Sequence, residues 1–394
     1  MIRTIVKTAK VSRSTHVCLD AFLRQQTDLY NAGLQERIDC YEKTGKSITY
    51  LDQQKSLTEI RRGPDFSRYA AQPQRTALRT LDKGMKSFFR RVKNGEKPGF
   101  PRYKSRNRGI RSFEIPQPRF HGDSIKVKGI GRFRMDSVPE SRIRLVRIVK
   151  SALRITVQFV VEIENVEARK TDAPIGVDLG LKDRAILSTG ETVDAVRLDR
   201  RELKRLQRKV SRAERGSVSR RKKVNALRRE CERVRIKESQ SLHRVTSEIV
   251  RRHNRIAVED LKIPNMMRNH CLARVIQEQQ WGRFVDMLTY KAESAGGEVV
   301  RVDPKHTSTD CSVCGHRQKM PLEKRVFECG GCGVVMDRDA NASRNILQRG
   351  LALAGWDMRP LASPGASENV RERYVAGLPG QDAEQYPSEC YSWI

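Results

Sequence analysis

The sequence has no long apolar run and no cysteine pattern of the kind that builds a secreted disulfide framework. No apolar run approaches the roughly 18 residues that a membrane-spanning helix requires, so we expect no membrane partner. The first residues lack the apolar core of a signal peptide, and we therefore expect a soluble protein of the cytoplasm. Five of the nine cysteines are scattered, which fits a reducing compartment. They are Cys18, Cys40, Cys231, Cys271 and Cys390.

Aromatic and acidic residues are both scarce relative to the basic ones. The 394 residues include 78 Lys and Arg but 47 Asp and Glu, which gives a formal net charge of +31. Such an excess predicts a polyanionic partner, most simply a nucleic acid. Because aromatic residues make up 6% of the chain, we expect contacts to phosphates more than stacking on bases. A ribosomal or chromatin-type binding protein without catalysis would have a similar composition.

The other four cysteines form two closely spaced pairs near the C-terminus. Cys311 and Cys314 are separated by two residues, as are Cys329 and Cys332, and fourteen residues lie between the pairs. Each pair offers two thiolates from one tight turn, and four thiolates complete the tetrahedron that Zn²⁺ prefers. The spacing is typical of a zinc ribbon, so we predict one structural zinc ion there.

The first half of the chain changes from a helical to an alternating pattern. One strand is predicted over 2–10, and helical spacing covers about 15–42 and 73–92. From Arg111 to Glu164 apolar residues recur at every second position, which predicts short antiparallel strands and a small β-barrel. A polar linker is expected over 165–174.

The second half reads as an α/β unit that contains a very basic helical stretch. Residues 197–255 hold 22 Lys and Arg against 7 Asp and Glu, a local net charge of +15 (22 − 7), and Gly216 should divide them into a hairpin. Leu203, Leu206 and Val210 would line one arm. Leu227, Cys231 and Val234 would line the other. Strands are predicted over 175–180, 184–188, 192–196, 256–261 and 298–302, and helices over 276–294 and 339–348.

Acidic residues lie at three landmarks of this α/β unit. Asp178 and Glu259 lie within apolar strands, and Asp337 or Asp339 begins the last helix. A carboxylate in an apolar strand is unfavourable unless it is paired or binds a metal. The element order matches a ribonuclease-H-like sheet, in which the first strand, the fourth strand and the last helix meet. There three carboxylates can hold two Mg²⁺ ions about 3.5–4 Å apart and hydrolyse a phosphodiester.

Each acid also has a simpler interpretation. Asp178 could belong to a turn before Gly180, Glu259 could be an edge-strand charge, and Asp339 could cap a helix. Asp183 and Asp260 are alternative ligands, and we rank them lower because they follow the strand ends.

Several motifs resemble one known family. GVDLG, VEDL, the pair CSVCG and CGGCG, and DRDANASRNI occur in that order, as they do in the RuvC-type nuclease half of TnpB, a transposon-encoded RNA-guided endonuclease. YNAGLQERIDCYEKTG, SFFRRVKNGEKPGFPRYKSR and WGRFVDMLTYKAESAGGEVV also resemble TnpB, so the similarity covers nearly all of residues 1–350. Compact type V CRISPR effectors share the nuclease half.

The resemblance implies a domain layout for a prokaryotic cytosolic protein. It implies a wedge-like β-barrel, a helical recognition insertion and a RuvC-like nuclease domain that carries the basic hairpin, 197–255, and an inserted zinc ribbon. The tail, 357–394, should be disordered. The corresponding ranges are 1–10 with 111–165 for the barrel, 11–110 for the insertion, 172–304 with 336–355 for the nuclease domain, and 305–335 for the ribbon.

The resemblance also implies an activity. Asp178, Glu259 and Asp339 would be the catalytic, Mg²⁺-binding triad, with Asp337 as second choice. A guide RNA derived from the transposon end would direct cleavage of double-stranded DNA beside a short flanking motif. Some relatives have lost acids and only bind DNA, so an inactive RNA-guided regulator is the alternative. A transposase proper is a weaker one. The oligomeric state is left open by the sequence.

Overall fold

The computed structural model describes residues 2–105, 109–163, 173–194, 198–321 and 323–356. The predicted disordered tail, 357–394, and nearly all of the predicted linker, 165–174, lie outside these residues. The chain divides into two compact units, which are Met1–Glu164 with Val224–Arg229, and Asn165–Lys223 with Glu230–Ile394. Among the described helices, none is long and apolar enough to cross a membrane.

The β part of the first unit consists of two antiparallel sheets on one core. Its strands are β1 (Ile2–Ala9), β2 (Ser112–Pro116), β3 (Phe120–His121), β4 (Ser124–Val127), β5 (Gly131–Arg134), β6 (Arg142–Lys150) and β7 (Ile155–Glu162). The larger sheet has the order β1-β7-β6-β2 and the smaller one β3-β4-β5. A bridge between Lys10 and Arg134 joins them. The alternating pattern is thus confirmed as strands, while closure into a barrel stays a prediction.

One predicted strand began too early, and one short strand was not predicted. The alternation of Leu153, Ile155 and Val157 predicts a strand from Leu153, but β7 starts at Ile155. Ser151 and Arg154 close a turn before it, with 2.9 Å between Ser151 N and Arg154 O. Leu153 lies in this turn and is exposed. β3 has two residues, too few for a period to be recognised.

Four helices complete the first unit. They are α1 (Arg13–Thr44), α2 (Tyr50–Ile60), α3 (Pro64–Ser67) and α4 (Ala71–Lys93). Gly45 ends α1 in the left-handed conformation, at φ 69°, which glycine adopts without strain. α2 was missed, although its capping box between Thr49 and Asp52 is a readable start signal. The helical spacing predicts one buried side of α4 that includes Leu81, Met85 and Phe89. Leu81 and Met85 are buried, but Phe89 is 53% exposed.

The second unit is built on a five-stranded mixed sheet. Its strands are β8 (Ile175–Asp178), β9 (Ala185–Leu187), β10 (Thr192–Val193), β11 (Arg255–Glu259) and β12 (Glu298–Val302). The strand order is β10-β9-β8-β11-β12, in which β8, β11 and β12 are parallel. Because Val177 pairs with Val258, the next residue of each strand, Asp178 and Glu259, ends at the same edge.

Helices and a small hairpin surround this sheet. They are α5 (Arg201–Ser211), α6 (Val218–Arg252), α7 (Ile263–Met266), α8 (His270–Gln279), α9 (Trp281–Ser294) and α10 (Arg338–Ala354), with β13 (Val326–Glu328) and β14 (Val335–Asp337) as the hairpin. The single helix expected over 276–294 was wrong. Gln280, at φ 54°, separates α8 from α9. Pro264 predicts a loop over 264–269, but the short helix α7, Ile263–Met266, covers its first residues.

Helix α10 lies directly on β8 and β11 because glycine allows it. A Cβ atom on Gly176 would be 2.1 Å from the backbone oxygen of Ser343, and one on Gly350 would be 2.4 Å from the Cβ of Ala257. Neither position can therefore carry a side chain without moving the helix. This close packing brings the first turn of α10 to the strand ends that carry Asp178 and Glu259.

Candidate active site and metal centre

Two of the predicted acids stand at the carboxyl ends of neighbouring parallel strands. Asp178 is the last residue of β8 and Glu259 the last of β11. Glu259 is 8% exposed, and its burial raises the pKa of the carboxyl above its ordinary value. A hydrogen bond from Thr307 and the charge of Arg349 act in the opposite direction on this pKa.

The two acids at the start of α10 have different roles. Asp337 is the N-cap, and its Oδ1 accepts hydrogen bonds from the backbone N of Asp339, at 2.9 Å, and of Ala340, at 3.0 Å. The cap assigned to Asp339 in its simpler interpretation therefore belongs to Asp337. Burial and the charge of Asp337 raise the pKa of Asp339, while Arg325, 3.6 Å from its Oδ2, lowers it.

The charges of Glu259 and Asp339 both act on Asp178. Burial raises the pKa of Asp178 well above its ordinary value, and the charges of Glu259 and then Asp339 raise it further. The structure therefore brings together three acids that are about 80 residues apart in the sequence or more. Carboxylates held close together in a half-buried place repel each other, and a bound cation would relieve that repulsion.

The lower-ranked acids lie in different surroundings. Asp183 raises the pKa of Asp339 by its charge, so it lies near that acid. Asp260 instead forms ion pairs with Lys262, at 2.5 Å, and Arg301, at 3.7 Å, and the bond from Lys262 lowers its pKa. No sequence pattern indicated that Thr307 would contact Glu259, because a single threonine in a loop carries no motif.

The four ribbon cysteines converge as predicted. Cys311 Sγ lies 3.8 Å from Cys332 Sγ, and Cys314 Sγ lies 3.5 Å from Cys329 Sγ. Within the described ranges they are the one group of three or more Cys, His, Asp or Glu residues whose ligand atoms all lie within 4.8 Å of one another. The donors are soft thiols in a closed tetrad, which fits Zn²⁺.

Backbone amides around the second knuckle favour the thiolate form of Cys329. The amides of Cys332, at 3.4 Å, and Gly331, at 3.3 Å, donate to Cys329 Sγ. The bond from Cys332 and then that from Gly331 lower the pKa of Cys329 to about 6. The antiparallel strands β13 and β14 and a small core that includes Phe327 and Met336 support the tetrad.

The basic hairpin is formed by α5 and α6, with a turn at Gly216. Arg220, a residue of the basic run, is structural, because its Nη1 donates to the backbone oxygens of Val210, at 2.8 Å, and Ala213, at 2.9 Å. Arg221 and Lys222 are exposed. Cys231 was expected on the inner side of α6 but is exposed, because the buried face of the helix lies elsewhere and includes Leu242 and Ile249.

Comparison with known proteins gives similarity along most of the chain. Family models described as a Cas12f1-like TNB domain and as a probable transposase, OrfB_IS605, match residues 281–346 and 158–270. A putative RNA-guided DNA endonuclease of Streptomyces pristinaespiralis is 31% identical over 374 residues, which are 89% of this chain and 92% of that protein. The putative RNA-guided DNA endonuclease InsQ of Escherichia coli (strain K12) is 28% identical over 84% of this chain and 85% of that protein.

Solved structures also resemble the chain. The mini-RNA-guided endonuclease CRISPR-Cas_phi3 matches over 89% of this chain and 92% of that chain, with 10% sequence identity and a TM-score of 0.43. Both sequence relatives align over most of their own length, so the similarity is not confined to one motif.

Proposed function

Because the chain belongs to the TnpB family of RNA-guided DNA endonucleases, we propose that it cleaves DNA at sites chosen by a guide RNA and flanked by a short motif. The observation that carries the proposal is the meeting of Asp178, Glu259 and Asp339 at one edge of the second unit's sheet. The strand order β10-β9-β8-β11-β12 supports a ribonuclease-H-like, RuvC-type nuclease domain. The net charge of +31 supports polyanionic partners.

The three acids fit divalent magnesium. All are carboxylates, the hard oxygen ligands that Mg²⁺ prefers, and their coupled charges repel each other unless a cation lies among them. When bound, two Mg²⁺ ions supply an activated water and stabilise the leaving oxygen of the phosphodiester. We assign Asp178 to the central position because both other acids act on its pKa.

Neighbouring residues hold two of these carboxylates in position. Thr307 donates to Glu259 Oε1 and so fixes one carboxylate oxygen, and Asp337 holds the first turn of α10 that carries Asp339. Burial around Asp178 and Glu259 limits access of bulk water and strengthens every charge interaction in the site. Glu259 and the helix turn that carries Asp339 are thereby held in place before any substrate arrives.

The zinc ribbon has a separate, structural role in the proposal. Four thiolates complete the coordination of Zn²⁺ and leave no open position for a reacting water. The ribbon, 305–335, is then a folded module inserted before α10, and the chemistry takes place at the carboxylates.

We assign the remaining parts to nucleic-acid binding. The proposed wedge-like barrel consists of residues 1–10 and 111–165, and the proposed recognition insertion is 11–110. The proposed nuclease domain consists of 172–304 and 336–355. Base pairing between guide and target reads the sequence, and the protein reads shape, backbone and the flanking motif. A transposon-end-derived RNA is the proposed guide, and double-stranded DNA is the proposed target.

Replacing two exposed cations at the start of α6 tests whether this helix contacts phosphates. Replacing Arg221 and Lys222 by Gln should weaken RNA or DNA binding for all sequences alike. It should also make the slope of log Kd against log salt concentration shallower by about one for each lost phosphate contact. Arg220 is left in place because it ties α5 to α6. Filter binding at four salt concentrations measures both values.

The matched control replaces Arg205 and Arg233 by Gln. These cations lie on the same helices but already pair with Glu202, at 2.6 Å, and Glu230, at 2.9 Å, so their loss should change the slope less. Equal slopes for both double variants and the wild type would remove α5 and α6 from the proposed interface.

An inactive RNA-guided DNA-binding regulator is the second candidate on this scaffold. It would bind guide and target in the same way but would not need three coupled acids at one edge. The presence of all three acids favours the nuclease.

The proposed function is tested by programming the protein with its own RNA. RNA that co-purifies with the protein is sequenced, a plasmid carrying the matching target is incubated with the complex and Mg²⁺, and the cut ends are mapped. We expect cleavage of the matched plasmid only. Binding without cleavage would support the regulator, and joining of labelled DNA ends would indicate a transposase.

A further inference from the structure

The segment that runs from the end of β12 into the first cysteine pair passes over Glu259. We name this segment, Asp303–Ser312, the ribbon root. Thr307 lies in its middle and is 3% exposed, and its Oγ1 donates to Glu259 Oε1 at 2.7 Å. The partners are 48 positions apart in the sequence. The ribbon root is therefore the structural element that touches the catalytic glutamate directly.

The position of Thr307 is itself closely defined. The side-chain amide of Asn345, on α10, donates to the backbone oxygen of Thr307 at 2.8 Å. His306 adopts a left-handed conformation, at φ 64°, which turns the chain immediately before Thr307. The Thr307 Oγ1 also lies 3.0 Å from the backbone oxygen of Pro304, which is a second acceptor for its single proton. The hydroxyl thus lies between a carboxyl oxygen of Glu259 and a backbone carbonyl oxygen.

The ribbon root is fastened to α10 along its whole length. Asn341 donates to the backbone oxygen of Asp310, at 2.8 Å, and accepts from the backbone N of Ser312, at 2.9 Å. Arg349 donates to the backbone oxygens of Asp303, at 2.7 Å, and Lys305, at 2.5 Å. The helix that carries Asp339 therefore also holds the segment that orients Glu259.

The far end of the ribbon root is part of the zinc centre. Cys311 belongs to the thiol tetrad, and its backbone N donates to the oxygen of His316 at 2.9 Å. Cys311 and Thr307 are four residues apart. Asn341 donates a hydrogen bond to Asp310, which lies between them, and Asn345 donates one to Thr307 itself. A change at the tetrad can therefore reach Glu259 through a short, fully hydrogen-bonded path.

We infer that Thr307 is a positioning residue for Glu259, and that the zinc-bound ribbon maintains this position. The hydroxyl fixes the rotation of the Glu259 carboxylate, so that its oxygens meet a divalent ion in one orientation instead of several. Partners that orient a metal ligand usually change metal affinity or activity by about 10- to 100-fold when removed. This inference rests on the proposed function, because it assigns Glu259 to a divalent-ion site.

A purely structural hydrogen bond would behave differently. If Thr307 only satisfied a buried carboxylate, its loss would lower stability and would leave the affinity for divalent ions in the folded protein unchanged. Metal affinity is therefore the measurement that separates the two roles.

The experiment compares Thr307→Val, Thr307→Ser and Thr309→Val in the full-length protein, with zinc retained and RNA removed at high salt. Valine keeps the shape and removes the hydroxyl, and serine keeps the hydroxyl. Thr309 lies in the same segment, but its Oγ1 contacts His306 O, at 3.3 Å, and Asp310 Oδ1, at 3.5 Å, and not Glu259. Mn²⁺ is the probe, and its binding is followed by electron paramagnetic resonance, with Glu259→Gln defining the background.

We expect Thr307→Val to bind Mn²⁺ about 10- to 100-fold more weakly. Its cleavage should need correspondingly more Mg²⁺. Thr307→Ser should restore both values, and Thr309→Val should match the wild type. Zinc content and melting temperature, measured for all variants, confirm that each is folded.

Two outcomes would overturn different claims. Wild-type Mn²⁺ affinity in a folded Thr307→Val variant would refute the positioning role and leave the nuclease proposal intact. No difference in Mn²⁺ binding between the wild type and Glu259→Gln would refute the divalent-ion site itself, and with it the proposed chemistry.

Discussion

Replacing Asp178 by Asn is expected to abolish cleavage of a guide-matched plasmid while RNA and target DNA remain bound. The side chain keeps its size but loses the charge that we assign to the centre of the metal site. Glu259→Gln and Asp339→Asn should have the same effect, roughly 100- to 1,000-fold or more in rate, comparable to the loss of other dominant electrostatic groups. Binding is expected to persist because guide and target are held by base pairing and by basic residues elsewhere.

The two acids of α10 provide a matched pair for this prediction. Asp337→Asn removes a charge but keeps a residue that caps helices well, so the variant should fold and cleave nearly as the wild type. Asp337→Ala should lose the cap and about 1 kcal/mol of stability. If Asp337→Asn is inactive and Asp339→Asn is active, the metal ligand is Asp337, and our assignment within this pair is reversed.

Stability measurements test whether a variant that has lost cleavage is still folded. For Asp178→Asn they also test the electrostatics of the site. Because burial and its acidic neighbours raise the pKa of Asp178, the native state holds a proton that the unfolded chain has already released. The folding stability of the wild type therefore falls as pH rises from the ordinary pKa of an aspartate towards the raised pKa of Asp178. The Asp178→Asn variant cannot ionise at this position, so its stability does not fall for this reason.

Without added divalent ions, Asp178→Asn should consequently be the more stable protein near neutral pH, by about 1 kcal/mol. The advantage should grow with pH and then level off. Urea unfolding at several pH values measures it. A variant less stable than the wild type near neutral pH would contradict the electrostatic account of this site.

Replacing Cys311 by Ser is expected to remove the zinc ion and unfold the ribbon. Structural Cys₄ sites contribute apparent binding free energies of about 10–16 kcal/mol, far more than the small core around Phe327 can replace. Residues 305–335 should become open to proteolysis, and cleavage of DNA should fall with them. Through the ribbon root, Mn²⁺ affinity should fall as it does in Thr307→Val.

Cys271→Ser is the control, because Cys271 is exposed and lies outside the tetrad. It should retain zinc and activity. Atomic absorption of the purified proteins measures the metal content, and limited proteolysis follows the ribbon. Wild-type protein that contains no zinc, or a zinc-bound Cys311→Ser variant, would refute the structural zinc centre.

Local patterns in the sequence predicted much of the second unit. The pairs Cys311/Cys314 and Cys329/Cys332 indicated a metal tetrad because each pair lies within one turn, where spacing alone determines which way the thiols point. Asp178 and Glu259 could be placed at strand ends because an acid interrupts an apolar run of the length of one strand. Gly216 marked the turn of the basic hairpin, since glycine adopts positive φ at little cost.

Contacts between distant segments could not be predicted in this way. The choice between Asp337 and Asp339 depends on which carboxylate caps α10, and that became visible only from hydrogen bonds to two backbone amides. The break at Gln280 carries no glycine or proline signal. In the sequence, Arg220 cannot be distinguished from the basic residues beside it. Its contact with the end of α5 shows that it has a structural role.

The sequence by itself therefore determined the kinds of chemistry in this protein: a soft thiol site, a set of hard carboxylates and a large positive charge. Those depend on residue type and short spacing, which are properties of the chain. Only the tertiary structure decided how the sites are connected, because Thr307 and Glu259 meet through packing of segments 48 residues apart. Such contacts depend on the close approach of α10 to β8 and on the path of the ribbon root, which no local pattern contains.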